Sequence, residues 1–96
     1  MNPIVSIVVP CYNEAGTIGR LLEATASQTY PQERLEIVIA DGGSEDGTRK
    51  VIERFSADHP GLRLTLINNP KRVIPAALNR AIEVAEGEIV IRLDAH

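Results

Sequence analysis

The chain has 96 residues, of which 44% are hydrophobic and 24% are charged. These proportions are typical of a single small, soluble globular domain. The net charge of −3, with only ten Lys and Arg residues, argues against a nucleic-acid-binding protein, which normally carries a basic face. Cys11 is the single cysteine, so no intrachain disulfide can form and we expect a reducing, cytoplasmic location.

The first apolar run predicts a buried strand over Ile4–Pro10. It is short and has no basic leader, so we expect neither a signal peptide nor a membrane span. The first helix is predicted to start near Asn13–Glu14, because Asn can cap a helix and Glu suits the positive end of its dipole. Its buried face is predicted to contain Ile18, Leu21, Leu22 and Thr25.

The second strand is predicted over Leu35–Ala40, after a polar connection. We expect the second helix to start after Ser44, with Glu45 and Asp46 in its first turn. Its inward face is predicted to contain Thr48, Val51, Ile52 and Phe55.

The third strand, Leu62–Ile67, alternates between apolar and polar residues, which indicates an edge position or one wetted face. The third helix has Pro75 near its first turn and ends at Gly87. Its buried stripe is predicted to contain Ile74, Leu78, Ala81, Ile82 and Ala85. The fourth strand is predicted over Ile89–Leu93.

This order of elements predicts one α/β domain over residues 1–96. Right-handed crossovers favour a Rossmann-like, three-layer half-domain, with three helices and a parallel sheet of strand order 3-2-1-4. The fourth strand would then be an apolar edge, which is an association hazard. We therefore expect the front half of a longer protein, or self-association of the chain through Ile89–Leu93.

Acidic residues follow three of the predicted strands: Glu14, Asp41 and Asp94. Ligands of parallel α/β sheets bind outside the carboxyl ends of the strands. Neighbouring strands lie about 4.8 Å apart, so the three carboxylates could lie within roughly 10 Å of one another. Such a cluster costs free energy unless a cation or a hydrogen-bonding ligand joins it, so the sequence predicts a cation or ligand site at this edge.

Each motif also has a purely structural interpretation. The segment 10–14 is either a turn with a helix cap, or it places Tyr12 against a flat ring and Glu14 near a hydroxyl. The segment 40–48 lacks the lysine of a phosphate-binding loop, and a capped glycine turn does not explain Asp41 at the mouth of a buried strand. Asp94 and His96 form a weak D-x-H pattern that suits Mn²⁺ better than Ca²⁺.

Cys11 has no histidine near it in the sequence. We therefore expect a small buried side chain beside the pocket rather than a nucleophile.

Four segments, 5–14, 37–48, 76–81 and 92–96, resemble the motifs of family 2 glycosyltransferases in order and spacing. The resemblance covers the whole chain and implies the N-terminal, donor-binding half of a GT-A fold in an inverting enzyme that uses a nucleotide sugar. The Asp-Ala-His ending is similar to that of the subgroup involved in bacterial exopolysaccharide (succinoglycan-type) synthesis.

The resemblance also implies roles for individual residues. Pro10, Tyr12 and Glu14 would line the nucleoside pocket, and Asp41 would accept the imide N–H of a uracil-like base. Asp94 and His96 would stand where the family's D-x-D motif holds ribose and a divalent metal, Mn²⁺ or Mg²⁺. Asn79 and the pair Lys71–Arg72 would lie near the donor phosphates, although Lys71 and Arg72 also fit a solvated loop.

The sequence departs from the family pattern at two positions. Gly42 stands where a second Asp is common, and His96 replaces the last Asp of D-x-D, so metal affinity should fall at acid pH.

Inverting transfer also needs a carboxylate base, which this family carries after the D-x-D motif. We therefore expect this chain to bind a donor, UDP-sugar being favoured, but not to transfer sugar by itself. The implied acceptor is a polysaccharide or lipid-linked sugar at the cytoplasmic face of the inner membrane. The alternatives are a non-catalytic binding or assembly module and, secondly, a nucleotidyltransferase.

Overall fold

The computed structural model describes residues 3–27, 30–68, 79 and 81–93. Four parallel strands form one sheet in the order β3-β2-β1-β4, which confirms the predicted fold class and strand order. A 3-10 turn over Gln32–Arg34 leads into β2, and residues 79 and 81–84 are also helical. The strands are β1 (Val5–Cys11), β2 (Leu35–Asp41), β3 (Arg63–Asn68) and β4 (Ile89–Arg92), and the two complete helices are α1 (Ala15–Ala26) and α2 (Thr48–Asp58).

The alternating side chains of the two central strands separate the interior into two layers. On one face of the sheet, α1 and α2 bury the predicted apolar stripes against residues such as Ile7 and Ile37. On the other face, Val8 and Val38 pack against Ala81 of the third helical segment. Both faces of β1 and β2 are therefore covered, as their nearly continuous apolar sequences predict.

The outer strands differ from the central ones in burial. β3 lies at one edge, as its alternating pattern predicts, with Leu64 and Leu66 turned toward the helices. β4 lies at the other edge and pairs with β1. All four residues of β4 are exposed, including Ile89, Val90 and Ile91 at 43–45%.

The start of α2 corrects the sequence prediction by three residues. The helix begins at Thr48, so Glu45 and Asp46 precede it rather than occupy its first turn. The reason lies in Gly47, which adopts φ of 96° and therefore interrupts a right-handed helix immediately before Thr48.

The third helical segment corrects a second expectation. Ala81 is buried and Ala85 packs beside it, but Ile82 is 51% exposed rather than part of the buried stripe. Successive helical residues are rotated by about 100°, so a segment that turns Ala81 toward the sheet turns Ile82 away from it. Three residues assigned to this helix, Ile74, Pro75 and Leu78, lie outside the described residues.

A close approach fixes the connection between this segment and β4. A Cβ atom added to Gly87 would lie 2.4 Å from the Ser6 hydroxyl oxygen and 2.9 Å from the Ile4 carbonyl oxygen. The Gly87 N–H donates to Ser6 Oγ at 2.8 Å, and Ser6 Oγ donates to the buried carboxylate of Glu36 at 2.6 Å. Only glycine leaves room for this contact at the amino ends of the strands.

Candidate functional site

The carboxyl ends of the strands carry the predicted polar residues. Strand order reverses between β1 and β4, because β2 and β3 lie on one side of β1 and β4 on the other. Parallel α/β sheets bind ligands outside the carboxyl ends of the strands at such a reversal. Tyr12, 37% exposed, and the half-buried Glu14 follow β1 at this edge.

Asp41, the last residue of β2, has a fully buried side chain that accepts hydrogen bonds at both oxygens. Its Oδ2 accepts from the backbone N–H groups of Gly43 at 3.2 Å and Ser44 at 3.0 Å, and from Arg49 Nη1 at 3.1 Å. Its Oδ1 accepts from the Ser44 hydroxyl and from Cys11 Sγ at 3.5 Å. The carboxylate is thus held in one orientation by five donors.

Burial and hydrogen bonding act in opposite directions on this carboxyl group. Burial by itself would raise the pKa of Asp41, but the hydrogen bonds from Ser44, Arg49 and Cys11 outweigh it and lower the pKa below the ordinary value. Asp41 is therefore ionised at neutral pH, and its charge is balanced by Arg49 and N–H groups of the chain itself.

Cys11 is buried beside this carboxylate. Burial, followed by the negative charges of Asp41 and Glu14, raises the pKa of the Cys11 thiol to about 12. The group stays a protonated hydrogen-bond donor, which agrees with the predicted structural role and argues against a nucleophile.

Arg49 and Asn68 are site residues that sequence reasoning missed. Arg49 Nη1 lies 3.1 Å from Asp41 Oδ2 and 2.8 Å from Asn68 Oδ1, so one nitrogen joins the ends of β2 and β3. A usable signal existed in the sequence: a cation in the first turn of a helix opposes the helix dipole, and a nearby carboxylate compensates for this cost. Asn68 also pairs in register with Asp41.

The loops after β1 and β2 are joined to each other by hydrogen bonds. The Asn13 N–H donates to Ser44 Oγ at 2.8 Å, and Asn13 Oδ1 accepts from the Glu45 N–H at 2.8 Å. The Glu14 N–H donates to Thr48 Oγ1 at 2.9 Å. Asn13, at φ of 52°, therefore connects the two loops and does not cap α1 as predicted.

One carboxylate caps both helices that follow these loops. Asp46 Oδ1 accepts from the Thr48 N–H at 3.1 Å, and Asp46 Oδ2 accepts from the Ala15 N–H at 3.1 Å. Hydrogen bonding, chiefly from the Thr48 hydroxyl, lowers the pKa of Asp46. The predicted acidic residue near the start of α2 therefore stabilises α1 as well.

The remaining predicted site residues are placed as follows. Pro10 lies within β1, where it is buried and pairs in register with Ala40. Asn79 is an exposed helical residue. Asp94 and His96, and the pair Lys71–Arg72, lie outside the described residues.

Two of the three carboxylates that were predicted to cluster around a ligand accept hydrogen bonds from the chain itself. Asp41 is compensated by donors of the chain, and Glu14 Oε2 accepts from the Thr17 hydroxyl at 3.1 Å. Within residues 3–27, 30–68, 79 and 81–93, no three His, Cys, Asp or Glu side chains are grouped to hold a metal ion. The two residues predicted to bind a metal, Asp94 and His96, are not among these residues.

A surface groove of about 790 Å³ lies between α1 and α2. Residues from both helices line it, including Arg20, Lys50 and Asp58, but not Tyr12, Glu14 or Asp41. The groove reaches the loops after β1 and β2 at Ala15 and Asp46, but it does not include these predicted nucleoside-pocket residues. None of the described helices combines the length and the apolar character that crossing a bilayer requires.

A parallel α/β sheet with polar loops outside the carboxyl ends of its strands, beside a reversal of strand order, is typical of ligand-binding domains. The model of the family "Glycosyl transferase family 2" matches residues 6–96, and the chain belongs to this family. This membership argues against the nucleotidyltransferase alternative. Among its relatives, the succinoglycan biosynthesis protein ExoA of Rhizobium meliloti is 45% identical over 92 residues, which cover 94% of this chain and 27% of ExoA.

Solved structures share the fold. The mannosyltransferase PcManGT from Pyrobaculum calidifontis, in complex with GDP-Man and Mn²⁺, has a TM-score of 0.93 and 42% identity over 99% of this chain and 28% of its own. S. aureus TarS in complex with UDP has a TM-score of 0.81 and 30% identity over 95% of this chain and 27% of its own. The chain thus spans less than a third of the length of each of these proteins.

Proposed function

We propose that this chain is the donor-binding part of an inverting glycosyltransferase that transfers a sugar from a nucleotide sugar to a polysaccharide or lipid-linked acceptor. The observation that carries the proposal is the fixed, ionised carboxylate of Asp41 at the carboxyl edge of a family 2 domain. Five donors hold this group in place, so its geometry is established before a ligand arrives.

The nucleoside binds beside the reversal of strand order. Pro10, Tyr12 and Glu14 line its pocket, and Asp41 accepts a ring N–H of the base. Asn79 and Asp94 contact the phosphates and the ribose. The exposure of Tyr12 supports this arrangement, because an exposed aromatic ring next to a polar edge suits stacking on a base.

A divalent ion, Mn²⁺ or Mg²⁺, is held by Asp94 and His96. A carboxylate oxygen and an imidazole nitrogen suit Mn²⁺. When bound, such an ion stabilises the charge of a departing diphosphate as a Lewis acid. The described carboxylates do not compete for this role, since Asp41 is already satisfied by the chain and Glu14 accepts from Thr17.

The base is uracil or guanine, with UDP-sugar as our first choice. TarS and PcManGT are solved with a uridine and a guanosine nucleotide, respectively. Both bases present a ring N–H next to a carbonyl oxygen. Asp41, ionised and unable to donate, requires such an N–H and disfavours the unprotonated ring nitrogen of cytosine or adenine.

Calorimetric titration with UDP, with and without Mn²⁺, tests the donor site. We expect metal-dependent binding that Asp94→Ala abolishes, whereas Glu88→Ala, an exposed change at the amino end of β4, leaves it intact. Flat titrations with UDP and GDP would instead favour the assembly-module alternative.

We propose that residues 1–96 bind donor but do not transfer sugar. Glu14 and Asp41, the described carboxylates at the strand ends, have partners within the chain and belong to the donor side. The carboxylate base that inverting transfer needs is expected after the D-x-D motif. Turnover of a nucleotide sugar by the 96-residue chain would contradict this.

We also propose that the whole protein works at the cytoplasmic face of the inner membrane; the free thiol of Cys11 fits a reducing compartment. We further propose that the chain self-associates through strand β4, whose residues are exposed. Two copies of the chain pair through the exposed edges of Ile89–Leu93, because three consecutive β-branched residues lie exposed there.

A further inference from the structure

The guanidinium of Arg49 lies over the carboxylate that the proposed donor site assigns to the base. Asp41 has no exposed surface, yet a ligand N–H must reach one of its oxygens. Some group that now contacts Asp41 must therefore move when a nucleotide binds.

The five donors to Asp41 differ in their freedom to move. Gly43 and Ser44 donate their backbone N–H groups to Oδ2 from a turn. The Ser44 hydroxyl is held in place by the Asn13 N–H, and Cys11 is buried. Arg49 donates from the end of a long side chain that is 38% exposed. Among the donors that the structure describes, Arg49 is thus the one a ligand can displace without rebuilding the turn.

A displaced Arg49 would remain at the site. Its Nη1 is also 2.8 Å from Asn68 Oδ1, and this contact keeps the guanidinium next to the end of β3 when the contact with Asp41 is lost. A cation with spare N–H groups would then stand beside the edge of the base.

We propose that Arg49 is a specificity-determining residue: it covers Asp41 in the free chain and turns to the carbonyl oxygen of a base whose ring N–H replaces it. This inference rests on the proposed donor site. Asp41 and Arg49 together present one acceptor and one donor, which complement the N–H and C=O of uracil or guanine. Cytosine carries an unprotonated ring nitrogen and, at C4, an amine in place of the carbonyl, so on that side both charged groups are mismatched.

Titration of UDP and CDP, in the presence of Mg²⁺, into the wild-type chain and Arg49 variants tests this assignment. We expect Arg49→Met to reduce the preference for UDP over CDP by about tenfold, since a hydrogen bond from a charged donor is lost. Arg49→Lys should retain most of the preference, because one nitrogen makes both contacts and an ammonium group can replace it. Arg54→Met removes an exposed cation from the same helix and should leave the preference unchanged.

The results of these titrations distinguish the specificity role of Arg49 from the donor-binding function on which it rests. A preference that persists in Arg49→Met, or equal losses for both nucleotides, would overturn the specificity role and leave the donor site intact. Failure of the wild-type chain to bind UDP and GDP would overturn both. In the wild-type chain, the guanidinium NMR signal of Arg49 should shift with UDP, and an unchanged signal would also contradict the proposal, whether or not the variants fold.

Discussion

The side chain of Asp41 is fully buried and carries a negative charge. A buried carboxylate is tolerated only when hydrogen bonds and an opposite charge compensate for its lost hydration. Here the turn after β2 and Arg49 provide that compensation. The hydrogen-bond donors that keep Asp41 ionised also fix the orientation of its carboxylate, so stability and ligand recognition depend on the same contacts.

We predict that Asp41→Asn lowers the free energy of unfolding by about 3 kcal/mol, because an amide NH₂ would face N–H donors and Arg49 would lose its counter-charge. Urea denaturation at neutral pH measures this loss. Glu45→Gln removes an exposed carboxylate from the same loop and should change stability by less than about 0.5 kcal/mol. Equal effects of the two substitutions would contradict the structure.

The same substitution should alter the response to acid. The pKa of Asp41 is lower in the folded chain than the value near 3.9 expected for an unfolded chain. The unfolded state thus binds a proton first, so the stabilisation is complete above pH of about 4 and is lost as the pH falls through the folded-state pKa. Wild-type stability should therefore fall more steeply below pH of about 4 than that of Asp41→Asn.

At the scale of elements, the two loops after β1 and β2 behave as one unit. The Asn13 N–H donates to Ser44 Oγ and Asn13 Oδ1 accepts from the Glu45 N–H, while Asp46 accepts from the first N–H of both helices. The central contact is the buried hydroxyl of Thr48, which accepts from the Glu14 N–H and donates to Asp46. The position of Tyr12 and Glu14 in space thus depends on residues that follow β2.

We predict that Thr48→Val, which preserves shape but removes the hydroxyl, costs about 2 kcal/mol because the Glu14 N–H loses its acceptor. Amide hydrogen exchange at Glu14 should become faster. Thr48→Ser keeps the hydroxyl and should retain the protection, with a smaller loss of stability from the missing methyl group. Unchanged exchange in Thr48→Val would show that the loops are not joined at this point.

At the scale of the whole molecule, the two sheet edges differ. β3 carries Arg63 and Thr65 on its wetted side, whereas β4 exposes Ile89, Val90 and Ile91. In the described part of the chain, β4 pairs with β1 alone. An apolar edge with free hydrogen-bonding groups can pair with another strand.

We predict that the chain self-associates at high concentration and that Ile91→Lys weakens this association by at least about tenfold, because an edge lysine opposes strand pairing. Analytical ultracentrifugation measures the dissociation constant. Ile82→Lys changes an equally exposed isoleucine that lies outside the strand, and it should leave association unchanged. A wild-type chain that stays monomeric at every concentration would refute the proposed edge pairing.

Much of the fold follows from local patterns. The apolar runs of β1 and β2 predict central positions, because a strand that is buried on both faces needs apolar residues throughout. The alternation of β3 predicts an edge position, because a strand with one wetted face needs apolar residues only on the other. The chain order then leaves β3-β2-β1-β4 as the favoured arrangement. The errors lie at the element ends: the start of α2 depends on the positive φ of Gly47, and the exposure of Ile82 depends on the rotation of its helix.

Carboxylates that follow strands at one edge of a parallel sheet are predictable from the chain alone, since strand periodicity and chain order are local properties. The groups that surround these carboxylates follow from long-range packing. Asp41 lies eight residues before Arg49 and 27 before Asn68. A cation in the first turn of a helix indicates a nearby carboxylate, but no local pattern reveals that the same guanidinium also contacts Asn68. Partner choice in a buried site depends on which side chains meet across strands, and that is settled when the sheet forms.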